Sequence, residues 1–356
     1  MAVLRRITVR DIAARLDISH VTVSLALRGS PRISKKRCEQ IQAMAKKLGY
    51  RPDPTLTSLA VYRLGKRPPR IHSALAWINH WEEPTALRKY HEFNAYWEGA
   101  SLSAERFGYR LDEFVWKSDL TPDRMESILA TRNVRGILIP PHPCQPDWGN
   151  FSWDHFSFIR FGHSVQEPIS HVVASDHLRN VVSALRRMQN YGYERIGFVI
   201  NGDHNLSLGG SWMGGYMAAK DVLPSIELLP PLITRNTGAG PQYQRAFKSW
   251  FTKNKPDALL TGDPRVSAAL KQLGVRVPED VAVAGTTAVD IPGLDAGIEQ
   301  HSVEIGKVAA EALIALINAN DLGPPAFPRR ILVEGTWIDG KTMPNRRLAQ
   351  PVSVAA

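Results

Sequence analysis

The chain alternates short apolar runs with amphipathic stretches from residue 71 onward, and this order restricts the possible folds more than any other feature. Apolar runs of strand length occupy residues 74–78, 110–116, 136–140, 156–161, 172–174, 196–200, 229–234, 258–261 and 281–284. Helical spacing occupies residues 93–107, 122–130, 178–190, 242–253, 265–273 and 303–318. Because each strand returns to its sheet through a helix, this alternation predicts parallel sheets covered by helices. The pattern runs for about 270 residues, which exceeds one compact core, so we predict two such lobes.

The first 70 residues differ from the rest of the chain in charge. They contain 16 Lys and Arg against 4 Asp and Glu, a net of +12, while the whole chain carries +10. The remaining residues are therefore close to neutral. A basic segment on a neutral body predicts a polyanionic partner for that segment alone, the alternative being a solubilising basic tail.

Three short helices with polar N-terminal caps are predicted within this basic segment. Thr8 and Asp11 have the spacing of a capping box, Ser19 can cap a second helix, and Ser34 a third. Only a short break separates the first two helices. This arrangement predicts a helix-turn-helix unit whose second helix enters the major groove of DNA, with a generic three-helix bundle as the alternative.

The order of residues in this segment closely resembles the head of the lactose- and purine-repressor (LacI/GalR) family. The resemblance rests on ITVRDIA at 7–13, ISHVTVS at 18–24 and GYRP at 49–52, and it continues without gaps to about residue 60. It implies base contacts from His20, Val21 and Leu25. It also implies phosphate contacts from a set of hydroxyl-bearing residues, namely Thr8, Ser19, Thr22, Ser24, Ser34 and Tyr50.

Leu25 departs from the better-known relatives, which often have Arg or His at this position. A leucine cannot form a bidentate hydrogen bond with guanine, but it can pack against a thymine methyl group. The operator sequence of a relative therefore does not transfer to this chain.

A hinge is predicted after the head, where Asp53 can cap a short helix that Pro54 begins. The resemblance implies that this segment folds on DNA, pairs with its copy in a dimer, and inserts Leu59 into the minor groove. Leu56 is the second candidate for this insertion. The alternative is that both leucines are ordinary linker residues.

The core resembles the same family more weakly, through residues 191–198, 274–283 and 298–310. This implies a fold of the periplasmic-binding-protein type, in which two lobes close on a small molecule and the chain crosses between them three times. The expected domains are the head at 1–52, the hinge and linker at 53–70, the core at 71–340 and a tail at 341–356. Within the core we expect an N-lobe at about 71–168 and 302–326, and a C-lobe at about 169–301 and 327–340.

The effector cannot be identified from the sequence. Sugar-binding relatives have an arginine where this chain has Trp212, and aspartates where it has Thr286, Thr287 and Ala288. Guanidinium and carboxylate groups bind vicinal hydroxyls, so their loss argues against a sugar. The candidate effector-binding residues are Asp176, Trp212, Asp263, Thr287 and Gln300. The alternatives are helix capping for the two aspartates and a core position for Trp212, with residues 209–215 read as a loop.

Other classes of function lack sequence support. The chain has no phosphate-binding loop, nucleophile elbow or zinc-binding histidine pair, and its two cysteines have no metal-ligand spacing. It also has no apparent signal peptide or transmembrane run. We therefore expect a cytoplasmic, homodimeric regulator that binds a palindromic operator in double-stranded DNA and represses transcription. We do not expect an enzyme, and we expect no cofactor or metal. The alternatives are a regulator whose cleft no longer senses a ligand and, less well supported, a solute-binding protein.

Overall fold

A computed structural model describes residues 7–27, 33–48, 50, 73–117, 119–235, 240–287 and 291–348. The predicted hinge at 53–70, with Leu56 and Leu59, lies outside these residues. Within the described part of the chain, no helix is both long and apolar enough to cross a membrane.

The head consists of three helices around a small apolar core. The helices are α1 (Val9–Leu16), α2 (His20–Leu27) and α3 (Lys35–Lys47). Each helix contributes residues that are nearly or fully buried, namely Ile12, Ala13, Val23, Ala26, Ile41 and Ala45. A core this small buries little apolar surface, so helix caps such as Thr8, each worth about 1 kcal/mol, add usefully to the stability of the head.

The first lobe is a six-stranded parallel sheet in the order β12-β5-β4-β3-β1-β2. Its strands are β1 (Ser73–Asn79), β2 (Tyr109–Val115), β3 (Gly136–Ile139), β4 (Ser157–Phe161), β5 (His171–Ser175) and β12 (Arg330–Val333). Its helices are α4 (His91–Arg106), α5 (Pro122–Thr131) and α11 (Ser302–Ala319). Every residue of β3 is buried, as expected for a strand covered on both faces.

The second lobe is a sheet in the order β13-β11-β10-β9-β6-β7, with β8 also paired to β6. Its strands are β6 (Arg195–Asn201), β7 (Glu227–Leu228), β8 (Leu232–Thr234), β9 (Ala258–Thr261), β10 (Ala282–Gly285), β11 (Gly297–Glu299) and β13 (Thr336–Ile338). Its helices are α6 (His177–Asn190), α7 (Gly202–Ser207), α8 (Ser211–Val222), α9 (Pro241–Asn254) and α10 (Val266–Gln272). The predicted fold class, a helical head and a core of two parallel-sheet lobes, is confirmed, with β13 as an antiparallel edge strand.

Two of the expected lobe limits are wrong. The chain crosses between the sheets after β5, after β11 and after β12. β5 pairs with β4 and β12 pairs with β5, so residues 169–175 and 327–333 belong to the first lobe. Both strands are short and follow irregular segments, and the apolar pattern of a strand does not specify which sheet it joins.

The start of the expected tail belongs to the second lobe. Met343 is almost fully buried in the core of that lobe, and the carbonyl of Thr342 accepts a hydrogen bond from the Val283 amide. The hydroxyl of Tyr193 donates to the carbonyl of Pro344 at 2.8 Å. Residues 341–348 therefore stabilise the lobe instead of extending from it.

The interpretation of residues 209–215 as a loop is also wrong beyond Gly210. Gly209 and Gly210 have positive φ values of 65° and 74°, and α8 begins directly after them. Gly214 and Gly215 lie inside α8. A β-carbon on Gly215 would be 2.4 Å from the carbonyl oxygen of Leu178, so this glycine allows α8 to pack closely against α6.

Helices α4 and α11 approach each other so closely that the positions of Gly99 and Gly306 have no room for a β-carbon. A β-carbon on Gly306 would lie 2.1 Å from the carbonyl oxygen of Tyr96, and one on Gly99 would lie 1.8 Å from the carbonyl oxygen of Val303. The two glycines therefore bring the helix backbones into contact. Because α11 directly follows a crossing between the lobes, this contact fixes where the chain returns to the first lobe.

We predict that Gly306→Ala destabilises the protein, because the two helices must separate to accommodate the methyl group. Overpacking of this kind costs about 1–3 kcal/mol. Gly214→Ala is the matched control, since a β-carbon there meets only the Leu178 side chain, at an ordinary 3.5 Å. That control should be neutral or stabilising by about 0.5–1 kcal/mol, because alanine favours a helix. Urea unfolding followed by circular dichroism measures both, and equal shifts of the two midpoints would contradict the prediction.

Candidate DNA-binding surface and effector cleft

The N-terminus of α2 has a hydroxyl cap with a second hydroxyl beside it. The Thr22 amide donates to Ser19 Oγ at 3.0 Å, and the two side-chain hydroxyl oxygens are 2.8 Å apart. Helix N-termini carry partial positive charge and unsatisfied amides, which favour phosphate oxygens. Because these two hydroxyls share one hydrogen bond, one hydroxyl proton remains to donate to a phosphate oxygen.

The candidate base-reading residues lie on the outer side of α2. His20 is exposed, Val21 is 53% exposed and Leu25 is half-buried, whereas Val23 and Ala26 on the opposite side form the head's core. An exposed valine in a small domain has no packing role within that domain. This distribution leaves one face of α2 available for an external surface.

The other candidate phosphate contacts are distributed around the head. Thr8 caps α1 in a reciprocal capping box, in which its amide and hydroxyl both donate to Asp11 Oδ2 at 2.7 Å. Ser34 is exposed just before α3, and its carbonyl accepts from the amides of Arg37 and Cys38. Ser24 is half-buried within α2. The half-buried Tyr50 packs against the core of the head.

The candidate effector residues follow strands, at the carboxyl edge of each sheet where α/β proteins bind ligands. Asp176 follows β5, Asp263 follows β9, Thr287 follows β10 and Gln300 follows β11. Trp212 lies instead on α8, but its side chain extends toward this edge. Its indole packs against Gly262, the residue that follows β9, where a β-carbon would be only 2.4 Å from Cζ3 of Trp212.

Both aspartates accept hydrogen bonds within the protein, Asp176 through one carboxylate oxygen and Asp263 through both. Oδ1 of Asp176 accepts from the Arg179 amide at 3.1 Å and caps α6, which is the capping role considered from the sequence. Asp263 is fully buried and accepts from Thr234 Oγ1 at 2.6 Å and from Arg265 Nε and Nη2 at 2.8 and 2.7 Å. Burial acts to raise the pKa of Asp263, but the hydrogen bonds from Arg265 and Thr234 hold that pKa below its usual value.

Trp212 packs between a histidine and a glycine at this edge. Its ring stacks on His204 with centroids 4.8 Å apart and planes 5° apart, and His177 meets it edge-on at 6.2 Å. Burial, with smaller contributions from the nearby imidazoles of His204 and His163, lowers the pKa of His177 to about 3. Burial also lowers the pKa of His204. These imidazoles are therefore neutral at physiological pH and act as aromatic packing groups.

Thr287 and Gln300 are brought together in a cavity of about 320 Å³ between the lobes. The first lobe contributes His91 and Ala95 of α4, and the start of α11 adds residues 302–304 and 307. Gln300 is only 5% exposed, and its Oε1 has no hydrogen-bond partner among the described residues. A buried acceptor without a partner costs free energy, so this atom favours a ligand that donates a hydrogen bond.

Several groups of the cleft were not found by sequence reasoning. His163 of the first lobe approaches Gly209 of the second, with Cδ2 3.6 Å from the position of a glycine β-carbon. His177 and His204 each follow the end of a strand, and this position could have identified them from the sequence as candidate cleft residues. Arg265 offered no such signal, because its role depends on the burial of Asp263.

Comparison with known proteins is consistent with this division into head and core. Residues 8–53 match the lacI family of bacterial regulatory proteins, and residues 185–343 match a periplasmic binding protein-like domain. Catabolite control protein A of Staphylococcus xylosus is 23% identical in an alignment of length 367, which covers 93% of this chain and 99% of that protein.

Solved structures share the fold along nearly the whole length of the chain. A complex of transcriptional regulator CelR with cellobiose is 20% identical with a TM-score of 0.58, covering 95% of this chain and 100% of that one. The lac repressor dimer bound to operator and the anti-inducer ONPF is 17% identical with a TM-score of 0.53, covering 95% and 99%. The head therefore belongs to the lacI family of bacterial regulatory proteins and the core is a periplasmic binding protein-like domain, the combination found in DNA-binding transcriptional regulators of the lacI type, and the chain is such a regulator.

Proposed function

We propose that this regulator acts in the cytoplasm as a homodimer that binds a palindromic operator and represses transcription, and that a small molecule between the core lobes controls its affinity for DNA. The observation that carries the DNA-binding half is the outer face of α2, where His20 and Val21 are exposed beside the hydroxyls of Ser19 and Thr22. One head reads only a few base pairs, so two heads on one duplex supply the specificity.

Phosphate and base contacts have separate roles in this proposal. The hydroxyls of Thr8, Ser19, Thr22, Ser24, Ser34 and Tyr50 hold the head on the backbone, while His20, Val21 and Leu25 meet the base edges. Phosphate contacts fix position and orientation, and base contacts determine sequence. Leu25 offers no hydrogen bond, so it favours a thymine methyl group.

The effector half of the proposal rests on the cavity that contains Thr287 and Gln300. Because its lining comes from both lobes, a ligand there contacts both and stabilises one arrangement of them. A cleft that no longer senses a ligand is the second candidate, and the internal bonds of Asp176 and Asp263 favour it. A solute-binding protein is disfavoured, since such a protein has no use for a helix-turn-helix head.

A first prediction concerns base readout by Leu25. Leu25→Arg should change the operator selected from a randomised DNA library, because arginine can form a bidentate hydrogen bond with guanine. Ala14→Arg is the matched control, since it adds the same charge at an exposed position of α1. Affinity for random DNA should rise similarly in both variants. An unchanged preferred sequence in Leu25→Arg would mean that this residue does not face the bases.

A second prediction concerns the proposed insertion of Leu59 in the minor groove. Leu59→Ala should remove operator bending and weaken specific binding, because no apolar wedge then unstacks a base step. Binding to random DNA should persist, since it depends on phosphate contacts. Circular-permutation gel shifts measure the bend, with Leu56→Ala as the control. Bending that is lost in Leu56→Ala and retained in Leu59→Ala would assign the wedge to Leu56.

A third prediction separates a sensing cleft from a silent one. A true effector binds the folded protein and should raise its melting temperature. At a ligand concentration one hundred times Kd, the free energy of unfolding increases by about 2.7 kcal/mol. A thermal-shift screen against a metabolite panel identifies such a ligand, and operator binding is then measured with and without it. A panel that leaves both the melting temperature and operator affinity unchanged would support the silent cleft.

A further inference from the structure

Strand β12 forms an exposed edge of the first sheet. It is the last strand in the order of that sheet, and among the described strands it pairs with β5 alone. Its first three residues are exposed, and they include two large apolar side chains, Ile331 at 39% and Leu332 at 45%. A strand edge presents unpaired amide and carbonyl groups, so a further strand can pair with it.

The backbone groups of alternate residues in β12 point away from β5. The carbonyls of Arg329 and Val333 accept hydrogen bonds from amides of β5 and of the residue that follows it. Neighbouring residues of a strand direct their backbone groups to opposite sides, so those of Arg330 and Leu332 point outward. A strand added at this edge therefore exchanges hydrogen bonds with Arg330 and Leu332 and, two residues further on, with Glu334.

Arg330 has a positive charge without a counter-charge. Its side chain forms no hydrogen bond or ion pair with any other residue that the structure describes. Arg330 and Arg160 are both in register with Val172 of β5, so they lie on the same face of the sheet, two strands apart. Burial, and then the charge of Arg330, lower the pKa of Arg160. A carboxylate from outside this chain would therefore be stabilised beside Arg330.

An acidic residue with a weak internal partner lies four positions after Arg330. Oε1 of Glu334 is 3.1 Å from Nε of Arg179 in α6, and the two side chains are 62% and 68% exposed. Ion pairs as exposed as this one contribute little to stability. Glu334 can therefore also meet a second cation.

The edge is complementary to itself when two copies pair antiparallel about a twofold axis. In one register, Leu332 is opposite Leu332 of the second copy and Arg330 is opposite Glu334 of the second copy, all as hydrogen-bonded pairs. Ile331 then faces Val333 on the other side of the sheet. Opposite charges and apolar side chains directly across from each other stabilise a strand pair. The neighbouring register, which pairs Arg330 with Leu332, leaves both charges unmatched.

The ends of the edge limit the contact. Pro328 has no amide hydrogen and cannot continue the pairing at one end. At the other end, Gly335 leads into β13, which belongs to the second sheet. The exposed edge thus provides a short surface that can accept one further strand, and a twofold contact of this kind is closed once a second copy has bound.

We propose that β12 joins two copies of this chain edge to edge, through a twofold pairing in which Arg330 of each copy meets Glu334 of the other. The first sheets of the two copies then form one continuous sheet. The contact uses neither the head nor the cavity beside Gln300, so it goes beyond the proposed DNA binding and ligand control.

Analytical ultracentrifugation of the full chain without DNA measures this association. Arg330→Glu should weaken it about tenfold or more, because two attractive pairs become repulsive. The double variant Arg330→Glu with Glu334→Arg should restore it, since the charges are only exchanged. Arg124→Glu is the matched control: it makes the same change of charge at an exposed position of α5, which connects β2 to β3 near the far end of the sheet. The control should associate as the wild-type protein does.

Disulfide cross-linking tests the register in a Cys144→Ser background, which removes an exposed thiol. Leu332→Cys should form an intermolecular disulfide on mild oxidation, because this residue faces its own copy with α-carbons about 5.5 Å apart, within the range of a disulfide. Ile331→Cys should cross-link far less, since it faces Val333. A cross-link through Ile331→Cys and none through Leu332→Cys would overturn the proposed pairing.

The same measurements separate this inference from the proposed homodimer. A wild-type dimer that Arg330→Glu leaves intact would keep the homodimer and overturn the inference. A wild-type protein that is monomeric would overturn both. Association that Arg330→Glu reduces and the charge exchange restores would support pairing through β12.

Discussion

Parallel strand pairing is the constraint on which the rest of the core depends. A parallel strand cannot be reached by a tight turn, so each connection between neighbouring strands passes over the sheet, usually as a helix. The loops that follow the strands therefore collect at one edge of each sheet. In this protein that edge holds Asp263, Thr287 and Gln300, which are separated by up to 37 positions in the sequence. The effector cleft is a consequence of this geometry.

The return of the chain to the first lobe depends on a second close contact, between α4 and α11. Gly99 and Gly306 let the two helix backbones touch, which positions the first turns of α11 against the middle of α4. That first turn also lines the cavity with Gln300. The packing of α4 against α11 within the first lobe therefore also shapes the first-lobe side of this cavity.

The cost of burying charge explains the chemical character of the cleft. Asp263 is fully buried and remains ionised because Arg265 and Thr234 supply several hydrogen bonds. Those bonds use the carboxylate completely, so it is not available to a ligand. Trp212 then fills the adjacent space without any charge. The cavity beside Gln300 has charged side chains in its lining, namely Glu299, Glu304 and Lys307, together with the unpartnered Gln300 Oε1.

The sequence by itself determined the local structure of this protein. Capping residues such as Thr8 and Ser19 act on amides within the next turn, and the apolar period of a helix or strand is a property of adjacent residues, so both can be read without a fold. The head, the alternation of the core and the strand-end positions of Asp176 and Asp263 followed from such local signals, whereas Thr287 and Gln300 became candidates through the resemblance to the lactose- and purine-repressor family. The tertiary structure alone decided which sheet β5 and β12 join, that residues 341–348 pack on the second lobe, and that Asp263 is paired internally. Those outcomes depend on contacts between residues remote in sequence, whose free energies no local pattern encodes.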